Sequence, residues 1–325
     1  MRTSITAAFA LTVVLGVAAG SAPPAPAASY PTKPITLLIP WPAGGITDMI
    51  GRTFARVLPE SLGQTIVIVN RPGGAGTIGT SECIRARPDG YTTCITAAGP
   101  LTTQPHLSDL PYSAEDYIPV IHLGNNPIVL AVRADAAWPD ARTLLNHVRE
   151  NPETVRVGHH GAGSFGHLGL IRLQQDARIT LTPVPFAGAA PAVTALLGGH
   201  VEAIAVHPGE VWAQVEAGKA RVLTVFQAKR NSRYPDAPAL KELGHDIQAG
   251  VFNVVLLPKG TPPEVVRTVH DAFKKGLESQ AYQDFAREFA YEIEYLDQGA
   301  ARKKIAAWLE QNGALIRMLG LPKKK

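Results

Sequence analysis

Short apolar runs alternate with stretches in which apolar residues recur every three or four positions, the pattern of strands and amphipathic helices around largely parallel sheets. Runs at 35–39, 66–69, 92–96, 128–132, 201–206, 222–226 and 254–257 predict strands. Helical spacing follows most of them. Between 47 and 58, Ile50, Phe54, Val57 and Leu58 line one face, and towards the C-terminus Ile305, Trp308, Leu309, Leu315 and Leu319 do the same. Two places look like crossings between lobes. Asn125-Asn126-Pro127 follows a strand-like stretch with turn residues, and Gln248-Ala249-Gly250 precedes another strand. Crossing at both puts residues 29–125 and 251–325 in one lobe and 126–250 in the other, with a hinge between.

Composition narrows the class. The chain has 325 residues, 46% hydrophobic and 18% charged, enough for a globular protein of two domains. Its net charge of +4 comes from dispersed Lys and Arg, and no like-charge run is longer than three residues, as in Lys323-Lys324-Lys325, so no nucleic-acid partner is expected. Arg2 and the uncharged, mostly apolar run from Ile5 to Val17, followed by small residues, read as a signal peptide over 1–28. Cleavage is expected after Ala27 or Ala28, and the mature protein outside the cytoplasm. Cys83 and Cys94 flank the turn Pro88-Asp89-Gly90 and either pair as a disulfide or stay two separate buried thiols.

Three glycine-rich turns carry the candidate chemistry. Residues 40–48, Pro-Trp-Pro-Ala-Gly-Gly-Ile-Thr-Asp, lie between a strand and a helix. Gly44 and Gly45 leave room for a ligand, Thr47 or Asp48 can cap the helix, and exposed N–H groups with the helix dipole favour an anion. Residues 158–167 form a second such turn, in which Gly163 precedes Ser164 and His167 sits in the first helical turn. Facing each other across a hinge, the two would grip a carboxylate from both sides. The third cluster, residues 70–76, matches neither GxxxxGK[ST] nor GxGxxG and reads as a turn shaping the cleft wall.

Two alternatives stay open. Ala162-Gly163-Ser164-Phe165-Gly166 resembles a serine-hydrolase elbow, with His207 or His245 as base and Asp236 or Asp246 as orienter. A metal-binding receptor could use His159, His160, His167 and His207, although adjacent histidines on an extended segment point to opposite faces.

A set of ordered motifs is similar to a known family. Residues 30–35 (Tyr-Pro-Thr-Lys-Pro-Ile), 40–48, Gly63-Gln64 through Gly73, Pro88-Asp89-Gly90-Tyr91, Leu110-Pro111-Tyr112, Val184-Pro185-Phe186-Ala187-Gly188, Leu196-Leu197-Gly198-Gly199 and Ala217-Gly218-Lys219 resemble the Bug-type substrate-binding proteins of tripartite tricarboxylate transporters. The resemblance runs from about Tyr30 to the C-terminus. It implies an α/β, type II periplasmic-binding-protein fold, two lobes joined by a hinge with a double chain crossing, that closes over a small carboxylate. It implies a periplasmic receptor working with a membrane transporter component or as a sensor, expected to be a monomer without cofactor, metal or enzymatic activity.

Carried onto this chain, the resemblance assigns ligand contacts to Pro42, Ala43, Gly44, Gly45, Thr47 and Asp48, to Thr96 and Ala98 on the first lobe's wall, and to Gly163, Ser164, His167, Phe186, Ala187, Gly188 and His207 in the second. Departures bear on the ligand. His207 stands where many members have an aspartate, replacing an acceptor for a ligand ammonium by a potential donor, Ala187 where lysine is frequent, and Ala195 where aspartate is common. An organic acid without an amine is therefore expected.

Overall fold

The computed structural model describes residues 30–186, 188–321 and 323. The expected signal segment and Ala187 lie outside the described residues. Among the described residues eleven strands form in chain order: β1 Ile35–Ile39, β2 Ile66–Asn70, β3 Thr92–Ala97, β4 Tyr117–Pro127, β5 Val129–Arg133, β6 Arg156–His159, β7 Thr182–Pro185, β8 Ala203–Val206, β9 Ala220–Val225, β10 Gly250–Pro258 and β11 Glu292–Leu296. They make two sheets, one of order β11-β4-β10-β3-β1-β2 and one of order β7-β6-β8-β5-β9. Both are mixed: β1, β2 and β3 are parallel, as are β6, β7 and β8, while β10 and β5 run against their neighbours.

Alternation along the strands explains why each sheet carries helices on both faces. In β1, Leu37 and Ile39 join the core under helices Ile46–Leu62 and Pro263–Glu278, whereas Leu38 points into the opposite core with Phe252, Val254 and Ile305 of helix Gln298–Met318. In β5, Leu130 and Val132 face one side and Val129 and Ala131 the other. Cys83 and Cys94, both fully buried, pair as a disulfide with Cα atoms 6.1 Å apart, resolving the choice left open by the sequence.

The two crossings are the feature that matters for function. Asn125-Asn126-Pro127, expected as a turn, is instead the end of β4, paired with the start of β10 as Gly250↔Pro127 and Val251↔Asn126. The reason is that Pro127, the last residue of its strand, loses no ladder bond it needs. The Ile128 N–H donates to Ala249 O at 2.9 Å, so both passages run side by side as one narrow hinge. Register then fixes its place: Asn253↔Ala97 sets the start of β10 at the carboxyl end of β3, and Val129↔Val206 sets the start of β5 at the carboxyl end of β8. The hinge therefore joins the carboxyl edges of the two sheets, where loops of α/β units bind ligands.

Candidate functional site

In the first lobe the loop after β1 leads into helix Ile46–Leu62, and Pro42 through Gly45 are exposed. Gly44 has φ +84°, a backbone state that favours glycine, while Gly45 is extended at φ −77° and caps the helix through no side chain. Neither Thr47 nor Asp48 is the cap residue. Thr47 is 3% exposed and its hydroxyl accepts from Asn253 of β10 at 3.2 Å. Asp48, 0% exposed, folds back on the loop: its carboxylate accepts from the Gly44 N–H at 2.8 Å, Arg52 Nε at 2.8 Å and Asn70 Nδ2 at 2.9 Å. Burial alone would raise this carboxyl, and the bonds from Arg52, Gly44 and Asn70 outweigh it and hold it below the usual carboxylate range. Asp48 is thus the fixed internal anion that sets the loop's shape, with no oxygen turned to solvent.

These bonds alter the donor set that the sequence led one to expect. The Gly44 N–H is used by Asp48, and the Gly45 N–H leans on Pro42 O at 3.4 Å. What remains are the first-turn N–H groups of Ile46 and Thr47, which have no intrahelical acceptor by helix geometry. The third glycine cluster buttresses this loop. Asn70 also donates to Trp41 O at 3.0 Å, and the Trp41 ring covers Gly76, where a Cβ would come within 2.8 Å of it. Thr96 and Ala98, assigned to the cleft wall, are both 0% exposed, and the Thr96 hydroxyl is bonded to that of Thr80 at 2.9 Å. Thr96 belongs to the interior because β3 is a central strand covered on both faces, and Ala98, which starts the short helix after β3, packs into the core around Leu38 and Phe252.

In the second lobe, Ser164 caps helix Phe165–Ala177, its hydroxyl accepting from the His167 N–H at 3.3 Å. His167 Nδ1 accepts from the Gly163 N–H at 3.0 Å, and its ring stacks flat on His159 at 4.6 Å. A Cβ on Gly163 would come within 3.5 Å of Leu321 and 4.0 Å of Leu107, both of the first lobe. Phe165 packs against cores of both lobes, its ring 6.1 Å from that of Trp308. This turn therefore faces the other lobe. Phe186 joins it at the same edge: its N–H donates to His159 O at 2.9 Å and its ring covers Gly158, with Gly188 beyond it at φ +120° in open space.

His207 follows β8 on this edge, at the start of helix Pro208–Glu216. Its Nδ1 lies 2.9 Å from Pro127 O, and since a carbonyl only accepts, the ring's neutral-state proton sits on Nδ1. Nε2 is left as an acceptor rather than the donor implied by the sequence comparison. Glu210 braces the group, its Oε2 taking both the His207 N–H at 2.7 Å and His160 Nε2 at 2.7 Å, with the His160 and His207 rings 5.2 Å apart.

His245 pairs with Asp176 at 2.6 Å and His207 with Pro127, so neither base candidate is bonded to Ser164. Among the described residues no group of three or more His, Cys, Asp or Glu is placed to hold a metal ion. A separate polar cavity of about 370 Å³ flanks the hinge, lined by Arg172, Asp246 and Gln248 on one side and Glu294, Lys304 and Trp308 on the other, residues that no local motif connects.

Two buried rings make stability pH-dependent. His159 and His122, each 1% exposed, are pushed down to about 4, His159 by burial and the neighbouring His167, His122 by burial and Lys304. In the unfolded chain a histidine protonates near ~6.5. Stability is therefore complete above that value and is lost as pH falls towards 4, about 2 kcal/mol per ring by pH 5. Melting curves should drop by several degrees between pH 7.5 and pH 5; an unchanged Tm would contradict the neutral buried rings.

Comparison with known proteins agrees with this architecture. Residues 50–321 match the family model described as tripartite tricarboxylate transporter family receptor. Protein BugT of Bordetella pertussis is 33% identical over 280 residues, covering 83% of this chain and 85% of that protein. A crystal structure of a TctC solute binding protein from Polaromonas superposes with a TM-score of 0.82 at 36% identity, covering 89% of this chain and all of that one (100%). Rpa4515 of R. palustris, solved with adipate, gives 0.73 at 28% identity over 91% of this chain and 100% of its own. By fold, by sequence and by the extent of the match, the chain belongs to the tripartite tricarboxylate transporter receptors, a family of two-lobed solute-binding proteins.

Proposed function

We propose that this receptor is exported to the periplasm, captures a small organic acid between the loops at 40–48 and 161–167, and presents the closed form to a membrane transporter component. The observation that carries the reading is the hinge joining the carboxyl edges of both sheets, with a helix N-terminus on each edge. Each terminus offers first-turn N–H groups and a positive dipole end to an anion. Because a ligand touches both lobes only when they are shut, binding is a population shift towards closure. The adipate of the R. palustris relative supports a carboxylate as the ligand. In this reading residues 29–125 with 251–325 form one lobe and 126–250 the other.

Magnitudes are adequate without chemistry. Micromolar affinity needs about 8 kcal/mol, and charge-assisted hydrogen bonds contribute roughly 1.5–3 kcal/mol each. Three or four such donors supply about 4.5–12 kcal/mol before the ordering cost, and exclusion of water on closure supplies the remainder. Thermal-shift screening of mono- and dicarboxylic acids tests the proposal. An acid present at 1,000 times its Kd should stabilise the protein by about 4 kcal/mol, and a panel that leaves Tm unmoved would refute carboxylate capture.

A further inference from the structure

We infer that residues 231–233 form a latch on the far side of the hinge from the cleft, and that this latch opposes closure, so that Arg233 tunes the affinity for every acid without touching one. This deepens the clamp reading above and rests on it. The segment follows β9 in the second lobe and is bonded to the first. Asn231, 0% exposed, donates through Nδ2 to Glu292 Oε1 at 2.9 Å and to Ala290 O at 3.3 Å, and the Ser232 N–H donates to the same Oε1 at 3.1 Å. Arg233 Nη1 donates to Arg287 O and Glu288 O, each at 2.8 Å, at the C-terminal end of helix Gln280–Glu288. Those carbonyls lack intrahelical partners and lie at the negative end of the helix dipole, so a cationic donor suits them. The guanidinium is held in place by the Trp212 ring at 3.6 Å, and its backbone by Asn231 Oδ1, which accepts from the Arg233 N–H at 3.0 Å.

Strand order gives the latch its direction. In the first sheet β4 and β10, which carry the hinge, stand between β1, which leads into the loop at 40–48, and β11, which begins with Glu292. In the second sheet β5 stands between β6, which leads into the turn at 158–167, and β9, which leads into 231–233. Cleft and latch thus lie on opposite arms of one pivot. Swinging the ligand-side loops together about the hinge draws 231–233 away from Glu292 and helix Gln280–Glu288. A cavity of about 170 Å³, lined by Asn125 and Gln248 of the crossings and by Gln227, Lys229, Glu292 and Glu294, separates latch from hinge and leaves the arm room to move. A ligand must offset the latch bonds on closing, which lowers its apparent affinity as any bias towards the open state does.

Small-angle scattering of the ligand-free mature protein tests the latch without any acid. Arg233→Ala should lower the radius of gyration towards that of a closed receptor, and Glu292→Ala, which breaks the latch from the other lobe, should do the same, whereas local unfolding would raise it. Calorimetry with malonate, succinate, glutarate and adipate gives the second readout. Every acid that binds should bind about threefold to tenfold tighter to Arg233→Ala, by a similar factor for all and even where Tm falls, and Arg233→Lys, which keeps a charged donor, should lie between. A merely structural arginine would leave Kd unchanged or raise it. An unchanged or larger radius in either folded variant, or binding that is unchanged or weaker, would overturn the inference while leaving carboxylate capture intact. If none of the four acids binds, the scattering result alone decides the latch, and only a silent wider panel would remove the function proposed above.

Discussion

Replacing Gly45 with valine is expected to raise the Kd for the bound acid at least about 100-fold while leaving Tm nearly unchanged. The backbone there is extended and allowed to any residue, and a Cβ would meet only Pro42 O at 3.5 Å, so the fold has no reason to object. The branched side chain would instead stand over the helix N-terminus, holding an anion away from the Ile46 and Thr47 N–H groups. Losing two charge-assisted bonds is worth roughly 3 kcal/mol or more. Gly44 is the poorer test site, because its φ of +84° makes any side chain costly before a ligand is considered. Calorimetry and melting curves on the same preparation separate the two effects. Full affinity in Gly45→Val would remove the first loop from the binding site.

Asp48→Ala should produce the opposite pattern, a large loss of stability. The substitution strips partners from the Gly44 N–H, Arg52 and Asn70 together. At about 1 kcal/mol per bond, it should cost roughly 3 kcal/mol and lower Tm by roughly 6–10 °C. Arg52 is half-exposed and returns to water, which keeps the loss from growing larger. Affinity should fall by a similar factor for every acid that binds, since a buried carboxylate bonded to Gly44, Arg52 and Asn70 acts by positioning the loop. Asp48→Asn keeps an acceptor for Gly44 and should recover most of the stability. A change in the order of preference among acids, with Tm unmoved, would instead make Asp48 a contact residue.

The difference between these two neighbours marks where sequence reasoning succeeds and stops. Strand positions came through where apolar runs are uninterrupted: β1 was read to the residue, and β2, β3, β5 and β10 to within a few. The strands left without a predicted run have broken patterns. Pro119 and His122 interrupt the apolar stretch of β4, β7 holds two prolines within four residues, and β11 alternates with glutamates on a sheet edge. The hinge was legible as two interrupted segments, but its pairing was not, because antiparallel register between residues over 120 positions apart leaves no local trace.

Within the site, glycine-rich turns preceding helices were visible from spacing alone. The direction of side chains was not. The resemblance places Asp48 and Thr96 among the ligand contacts, yet each turns inward to a partner distant in sequence, Asn70 or Thr80. His207 illustrates the same limit in chemistry. Its position follows from a motif, while its tautomer depends on Pro127, 80 residues away, and that bond converts an expected donor into an acceptor.

The most direct measurement is a crystal structure of the mature protein with an acid that stabilises it. The account predicts one carboxylate between the lobes, its oxygens about 3 Å from N–H groups at the start of helix Ile46–Leu62 and from the turn at 161–167. An acid held by a single lobe, or seated in the cavity beside Arg172 and Lys304 with both turns empty, would contradict it.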